Sequence, residues 1–249
     1  MRTFYVAISV ILYFLMSVVF YLPIAIIMGQ KKGKKWAKGK AKEWGKFIIN
    51  RTGSKVNVII KDEKTLEKIK DKAIVVISNH QSNMDIPLIM GYFPKKLAFV
   101  AKKEMETWPI IGMWMRKIEC IFLDRSDRRA GMRSIKEGVE KIKNGDSVVI
   151  FPEGTRSKTG EIEEFKKGSF KLASDPGVHI VPVTIKGTID IMGKGNKNIS
   201  KVENVQLIID KPIDTSKMDK MEKKELADKV RDIIIKNYKE IGDEGTAKE

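Results

Sequence analysis

The stretch Ala73-Ile-Val-Val-Ile-Ser78-Asn-His80-Gln-Ser-Asn-Met-Asp85-Ile-Pro87-Leu-Ile-Met-Gly-Tyr92 holds a strand, a polar loop and a helix in succession. Ala73–Ser78 is a short apolar run, which reads as a buried strand. A polar loop follows, and a helix begins near Asp85 with Pro87 in its first turn, where a proline costs least. The same alternation recurs on both sides. Strands are expected at Val56–Ile60, Leu97–Ala101, Glu119–Leu123, Ser147–Phe151, His179–Ile185 and Val205–Ile209. Helices are expected at Leu66–Lys70, Asp85–Tyr92, Arg128–Lys143, Lys167–Ser174 and Lys220–Ile241, the third stopped by Asn144-Gly145. Strands alternating with helices predict an α/β fold: a mixed, largely parallel sheet flanked by helices.

The N-terminus has a different character. Thr3–Gln30 carries no charge, and Lys31–Lys46 then holds eight lysines, one glutamate, Trp36 and Trp44. The apolar run exceeds the 20 or so residues that cross a bilayer core and outlasts the apolar part of a signal peptide. It therefore predicts a membrane-anchoring helical segment, either one tilted span or, with Pro23, a broken hairpin in one leaflet. Lysine and tryptophan beside it fit a membrane interface on the cytoplasmic side. The expected division is residues 1–50 as anchor and basic interfacial helix and 51–249 as the α/β domain. Across the chain 48 Lys and Arg face 32 Asp and Glu, a net charge of +16, which calls for an anionic partner. Because the lysines abut the anchor, that partner is read as membrane rather than nucleic acid. Cys120 is the only cysteine, which excludes an intramolecular disulfide.

Chemistry concentrates at strand ends. His80 follows one strand, five residues before Asp85; His179, the other histidine, sits within an apolar strand and reads as structural. A carboxylate on one imidazole nitrogen leaves the other free as a base, although the same spacing suits an Asp85 that only caps its helix. Phe151-Pro-Glu153-Gly154-Thr-Arg156 follows another strand, and Lys102 and Arg125 follow two more. In a parallel sheet these ends share one edge, so His80, Lys102, Arg125 and Arg156 are expected at one crevice, suited to a phosphorylated substrate. No nucleophile elbow, phosphate loop, dinucleotide fingerprint or metal-ligand spacing is found. The substrate must then bring its own nucleophile.

Asn79-His80-x4-Asp85, Phe122-Leu-Asp-Arg125, Phe151–Arg156 and Ile180-Val-Pro-Val183 resemble, in order, the four motifs of the glycerolipid acyltransferase family, in particular its 1-acyl-sn-glycerol-3-phosphate acyltransferases. The resemblance implies acyl transfer from a thioester, of acyl carrier protein or coenzyme A, to the sn-2 hydroxyl of lysophosphatidate, with no metal or other cofactor. It implies His80 as base and Asp85 as its partner. Arg125, Glu153, Gly154 and Arg156 would hold the acceptor, with Arg156 on its phosphate; Glu153 has the alternative of bracing its loop. Lys102, also toward the phosphate, lies outside the core motifs. Trp108, Ile110, Ile111 and Trp114 are expected either to line an acyl tunnel or to be core. The same motifs also fit glycerol 3-phosphate or another lysophospholipid as acceptor, and the charge alone fits a non-catalytic basic membrane or RNA-binding protein.

Overall fold

The computed structural model describes residues 1–246, with side chains to residue 241. Eight strands form one sheet: β1 (Val56–Ile60), β2 (Ile74–Ser78), β3 (Ala98–Lys102), β4 (Ile121–Leu123), β5 (Val148–Ile150), β6 (His179–Lys186), β7 (Val205–Ile209) and β8 (Ile213–Asp214). The order is β1-β7-β6-β2-β5-β3-β4, and β8 pairs β6. β2 to β6 run parallel, while β7 and β8 lie antiparallel to β6. Every residue of β2 is buried, as a central strand covered on both faces requires. Pro182 sits where β6 changes neighbour from β8 to β7, a place that tolerates a missing N–H.

The helices are α1 (Arg2–Met16), α2 (Leu22–Ile27), α3 (Gly29–Thr52), α4 (Glu63–Lys68), α5 (Asp85–Tyr92), α6 (Ile111–Lys117), α7 (Arg128–Lys143), α8 (Lys171–Ser174), α9 (Thr188–Met192) and α10 (Lys220–Thr246). Asp62 and Asp127 cap α4 and α7 through the backbone N–H groups of Thr65 and Ala130. Asp62 starts α4 earlier than the apolar pattern predicts. α6, α9 and β8 are not expected from sequence; five- to seven-residue helices and a two-residue strand carry too little periodicity to be read. Leu226, Val230 and Ile234 of α10 are fully buried, so that helix serves the core.

The N-terminus is an antiparallel helical hairpin. α1, a wide π turn (Ser17–Tyr21) and α2 form a single rod, Arg2–Ile27, long and apolar enough to cross a membrane. The wide turn precedes Pro23, which cannot donate a hydrogen bond to the turn before it. Gly29, at φ 72°, reverses the chain, and α3 runs back along the rod. Tyr13 meets Phe47 at 5.1 Å between ring centroids, Phe14 meets Trp44 at 5.8 Å and Tyr21 meets Trp36 at 5.8 Å. The opposite face of the rod is bare and apolar, with Phe4, Ile11, Leu12, Leu15, Val19, Phe20 and Ile27 exposed.

α3 also joins the sheet domain. Ile48 and Ile49 lie in the common core, and α3 crosses α5 with backbones touching. A Cβ added to Gly45 would stand 2.6 Å from the Pro87 carbonyl oxygen, and one added to Gly91 would stand 2.5 Å from the Lys46 nitrogen. Not every lysine of α3 faces outward. Lys34 and Lys38 clamp the buried Asp146 at 2.9 and 2.8 Å, and Lys42 donates to the Phe93 carbonyl. Asp146, just before β5, neutralises charge that sequence reading gave wholly to the membrane.

Candidate active site

His80 ends β2 in a loop held from both sides. Its N–H donates to Glu153 Oε1 at 2.7 Å, and its carbonyl accepts from the Ser157 N–H at 2.8 Å. Asn79, just before it, is buried, and its side-chain amide exchanges two 2.8 Å hydrogen bonds with the backbone of Ile185. The amide thus extends the β2–β6 pairing one step beyond the strand, fixing where His80 begins. Its imidazole stacks on Phe151, with centroids 4.1 Å apart and planes 14° from parallel.

His80 Nδ1 lies 2.7 Å from Asp85 Oδ2. A carboxylate only accepts, so Nδ1 carries the proton and Nε2 has a free lone pair. Asp85 is fully buried at the start of α5, where the helix terminus favours negative charge. Oδ2 also accepts from the N–H groups of Gln81 and Ser82, at 2.7 and 2.9 Å. Oδ1 takes the hydroxyl of Thr188, itself fully buried at the start of α9. Asp85 therefore does not cap its helix, whose N-cap is Met84 without a side-chain bond; its carboxylate holds the preceding loop and the His80 ring. Thr188 escaped sequence reading, although it follows β6 at the same sheet edge and that position was its available signal.

The expected convergence is present. His80, Lys102, Arg125, Gly154 and Arg156 line one crevice of about 720 Å³, together with Thr155 and Lys194. Among the described residues, no carboxylate pairs with Lys102, Arg125, Arg156 or Lys194. Arg125 donates to the Gly154 carbonyl at 2.8 Å. Gly154 adopts φ 77°, a conformation that favours glycine at this turn. The crevice continues between the hairpin (Tyr13, Phe14, Trp44) and the body of the domain (Met90, Trp108, Ile111, Trp114). Ile110, the remaining member of the expected tunnel wall, does not line it. Cys120 also lies along the crevice, but burial pushes its thiol up to about 12, too high for a thiolate nucleophile.

Glu153 stands behind the loop rather than in the crevice. It is buried, and Oε2 accepts from the Glu163 N–H at 3.3 Å while Oε1 holds His80. The geometry favours its bracing role over acceptor contact. Burial raises its carboxyl from 4.5 to about 7, against the pull of those two N–H groups. A raised folded value means stability is fully present below 4.5 and is lost as pH rises, the loss being complete above about 7. At about 1.4 kcal/mol per pH unit this amounts to about 3 kcal/mol. Glu153→Gln, neutral throughout, should lack that slope. Denaturant midpoints of both proteins between pH 4.5 and 8 should converge at the acid end and separate toward pH 7; parallel curves would rule out a costly buried carboxylate.

Several known proteins are similar to this chain in sequence or fold. The structure superposes on the crystal structure of the 1-acyl-sn-glycerophosphate (LPA) acyltransferase PlsC from Thermotoga maritima with a TM-score of 0.82 and 31% identity, covering 97% of this chain and 95% of that one. A 1-acyl-sn-glycerol-3-phosphate acyltransferase of Borreliella burgdorferi is 30% identical over 78% of this chain and 80% of its own length. The chloroplastic 1-acyl-sn-glycerol-3-phosphate acyltransferase LPAT1 of Arabidopsis thaliana is 42% identical over 60% of this chain, but the match spans only 42% of that protein; for the Saccharomyces cerevisiae relative, at 36% identity over 71% of this chain, it spans 59%. Residues 57–186, which carry the sheet edge and every motif loop of the crevice, match the acyltransferase family, and the chain belongs to that family.

Proposed function

We propose that this protein transfers an acyl group from a thioester to the sn-2 hydroxyl of 1-acyl-sn-glycerol 3-phosphate at a membrane surface, giving phosphatidate. The observation that carries this reading is the base within the crevice. His80, with Nε2 free, shares one cleft with four cations unpaired by carboxylates, and that cleft runs on into an apolar channel walled partly by the N-terminal hairpin. The relatives named above act, by their names, on this acceptor. The acceptor hydroxyl gives its proton to His80 Nε2 as its oxygen attacks the thioester carbonyl. The thiolate then leaves and takes the proton back from the imidazolium, so ester and free thiol are the only products. Asp85 stabilises the imidazolium meanwhile. Lys102, Arg125 and Arg156 surround the phosphate. The bare face of α1 and α2 supports an anchor in the cell membrane, and the lysines of α3 beside it support a catalytic domain on the cytoplasmic side.

Purified protein in vesicles, given lysophosphatidate with acyl carrier protein or coenzyme A thioesters, should yield phosphatidate by mass spectrometry. Arg156→Ala should raise the KM for lysophosphatidate about 10- to 100-fold, from a lost charge-assisted hydrogen bond of about 1.5–3 kcal/mol. Arg156→Lys should recover part of it, the fork being lost. Acylation of glycerol 3-phosphate in preference to lysophosphatidate, or no lipid product with either donor, would defeat this reading.

A further inference from the structure

Lys194 lies outside all four motifs, on the segment joining β6 to β7, yet it is built into the crevice. Ser82, in the loop between His80 and Asp85, forms an antiparallel bridge with Gly193, and its hydroxyl donates to the Met192 carbonyl. A turn follows, with the Asn196 N–H on the Gly193 carbonyl and Gly195 at φ 87°. The lysine between them reaches across to the opposite loop. Its Nζ donates to Thr155 Oγ1 at 3.1 Å and to the Arg156 carbonyl at 3.0 Å. An ammonium has three donors; two are spent fixing it, and one remains on a crevice that His80 and Arg156 also line.

We propose that Lys194 binds the acceptor phosphate and makes the site select a phosphate monoester over a phosphodiester headgroup. This rests on the function proposed above. A phosphate monoester carries about −1.5 to −2 charge at pH 7, whereas a diester keeps one ionisable oxygen. A fixed, half-buried cation therefore favours the monoester over a ligand of half its charge, and the preference is set by a group outside both the His80–Asp85 loop and the Glu153–Arg156 loop. Because Lys194 is pinned by two acceptors, it loses little freedom when phosphate arrives.

The test compares wild type, Lys194→Met, Lys194→Arg and Thr155→Val, the last removing one tether but no charge. The substrates are lysophosphatidate and its phosphate methyl ester in mixed micelles; binding of glycerol 3-phosphate is followed separately by equilibrium dialysis. Lys194→Met should raise the KM for lysophosphatidate about tenfold, keep kcat within about threefold and lower the kcat/KM preference for the monoester about tenfold. Lys194→Arg should retain most of that preference, and Thr155→Val, which loosens one tether but keeps the charge, should lower it less than Lys194→Met does. A fall in kcat with KM and preference unchanged would reduce Lys194 to a brace for the Thr155–Arg156 turn and overturn the proposal, as would wild-type kinetics. If wild type acylates neither lipid, the function proposed above fails; dialysis still decides Lys194, since equal glycerol 3-phosphate affinity in wild type and Lys194→Met removes it from the site.

Discussion

Replacing His80 by Ala should abolish measurable turnover while leaving the fold and lysophosphatidate binding intact, because among the described residues no other histidine and no carboxylate lines the crevice. Asp85→Asn is the more informative companion. An asparagine can turn its carbonyl toward His80 Nδ1 and the N–H groups of Gln81 and Ser82, and its amide toward Thr188 Oγ1, which then accepts. The geometry survives and the charge does not. Losing it should cost about 10³- to 10⁴-fold in kcat, with KM nearly unchanged, since the imidazolium forms only during reaction. Thr188→Val removes just one donor from the carboxylate and should cost about tenfold, recovered by Thr188→Ser. Steady-state kinetics on detergent-dispersed substrate reads all four variants. A trapped acyl-protein adduct, or near-normal turnover in His80→Ala, would falsify direct transfer.

Gly91→Leu should be a severely damaging change outside the site. The first side-chain carbon alone meets the Lys46 nitrogen at 2.5 Å and the Gly45 carbonyl carbon at 2.8 Å, and both are backbone. No rotamer relieves that contact, so α3 must move away from α5. Overpacking of this kind costs about 1–3 kcal/mol or more. Met90 of α5 and Trp44 of α3 both line the crevice, so the movement should also open it. The expected result is a lowered unfolding temperature together with loss of activity, whereas Gly39→Leu, whose nearest neighbour is the flexible end of Lys96, should lose much less of both. Equal stability of the two variants would mean the helices do not pack this closely.

Much of this protein is legible in its sequence. β1 and β7 fall on the predicted residues because both are apolar runs closed by charged or turn-forming neighbours. The motif loops announce themselves as polar clusters behind such runs, and that is why His80, Lys102, Arg125 and Arg156 were expected together. What stayed hidden has non-local causes. The pairing of β1 with β7, about 150 residues apart, leaves no trace in local periodicity. Thr188 looks like any turn residue until β6 is known to lie beside β2. Lys194 looks like one surface lysine among many, because the bridge from Gly193 to Ser82 that aims it is made across the fold. Lys34 and Lys38 joined the basic face by composition, although Asp146, more than a hundred residues on, had already claimed them.

The contact between Gly45 and Gly91 also sets an altitude. Asp85 and Gly91 belong to the same short helix, six residues apart, about 9 Å along its axis. α5 meets α3 through bare backbone, and α3 is one arm of the hairpin whose other arm carries the apolar face. Aromatic side chains join that arm to α3, and backbone contact joins α3 to the helix that carries Asp85. On the proposed function, with the hairpin resting in lipid, this packing would set the height of His80 above the hydrocarbon. The proposed acceptor would then have to reach the base from the surface on which the hairpin rests.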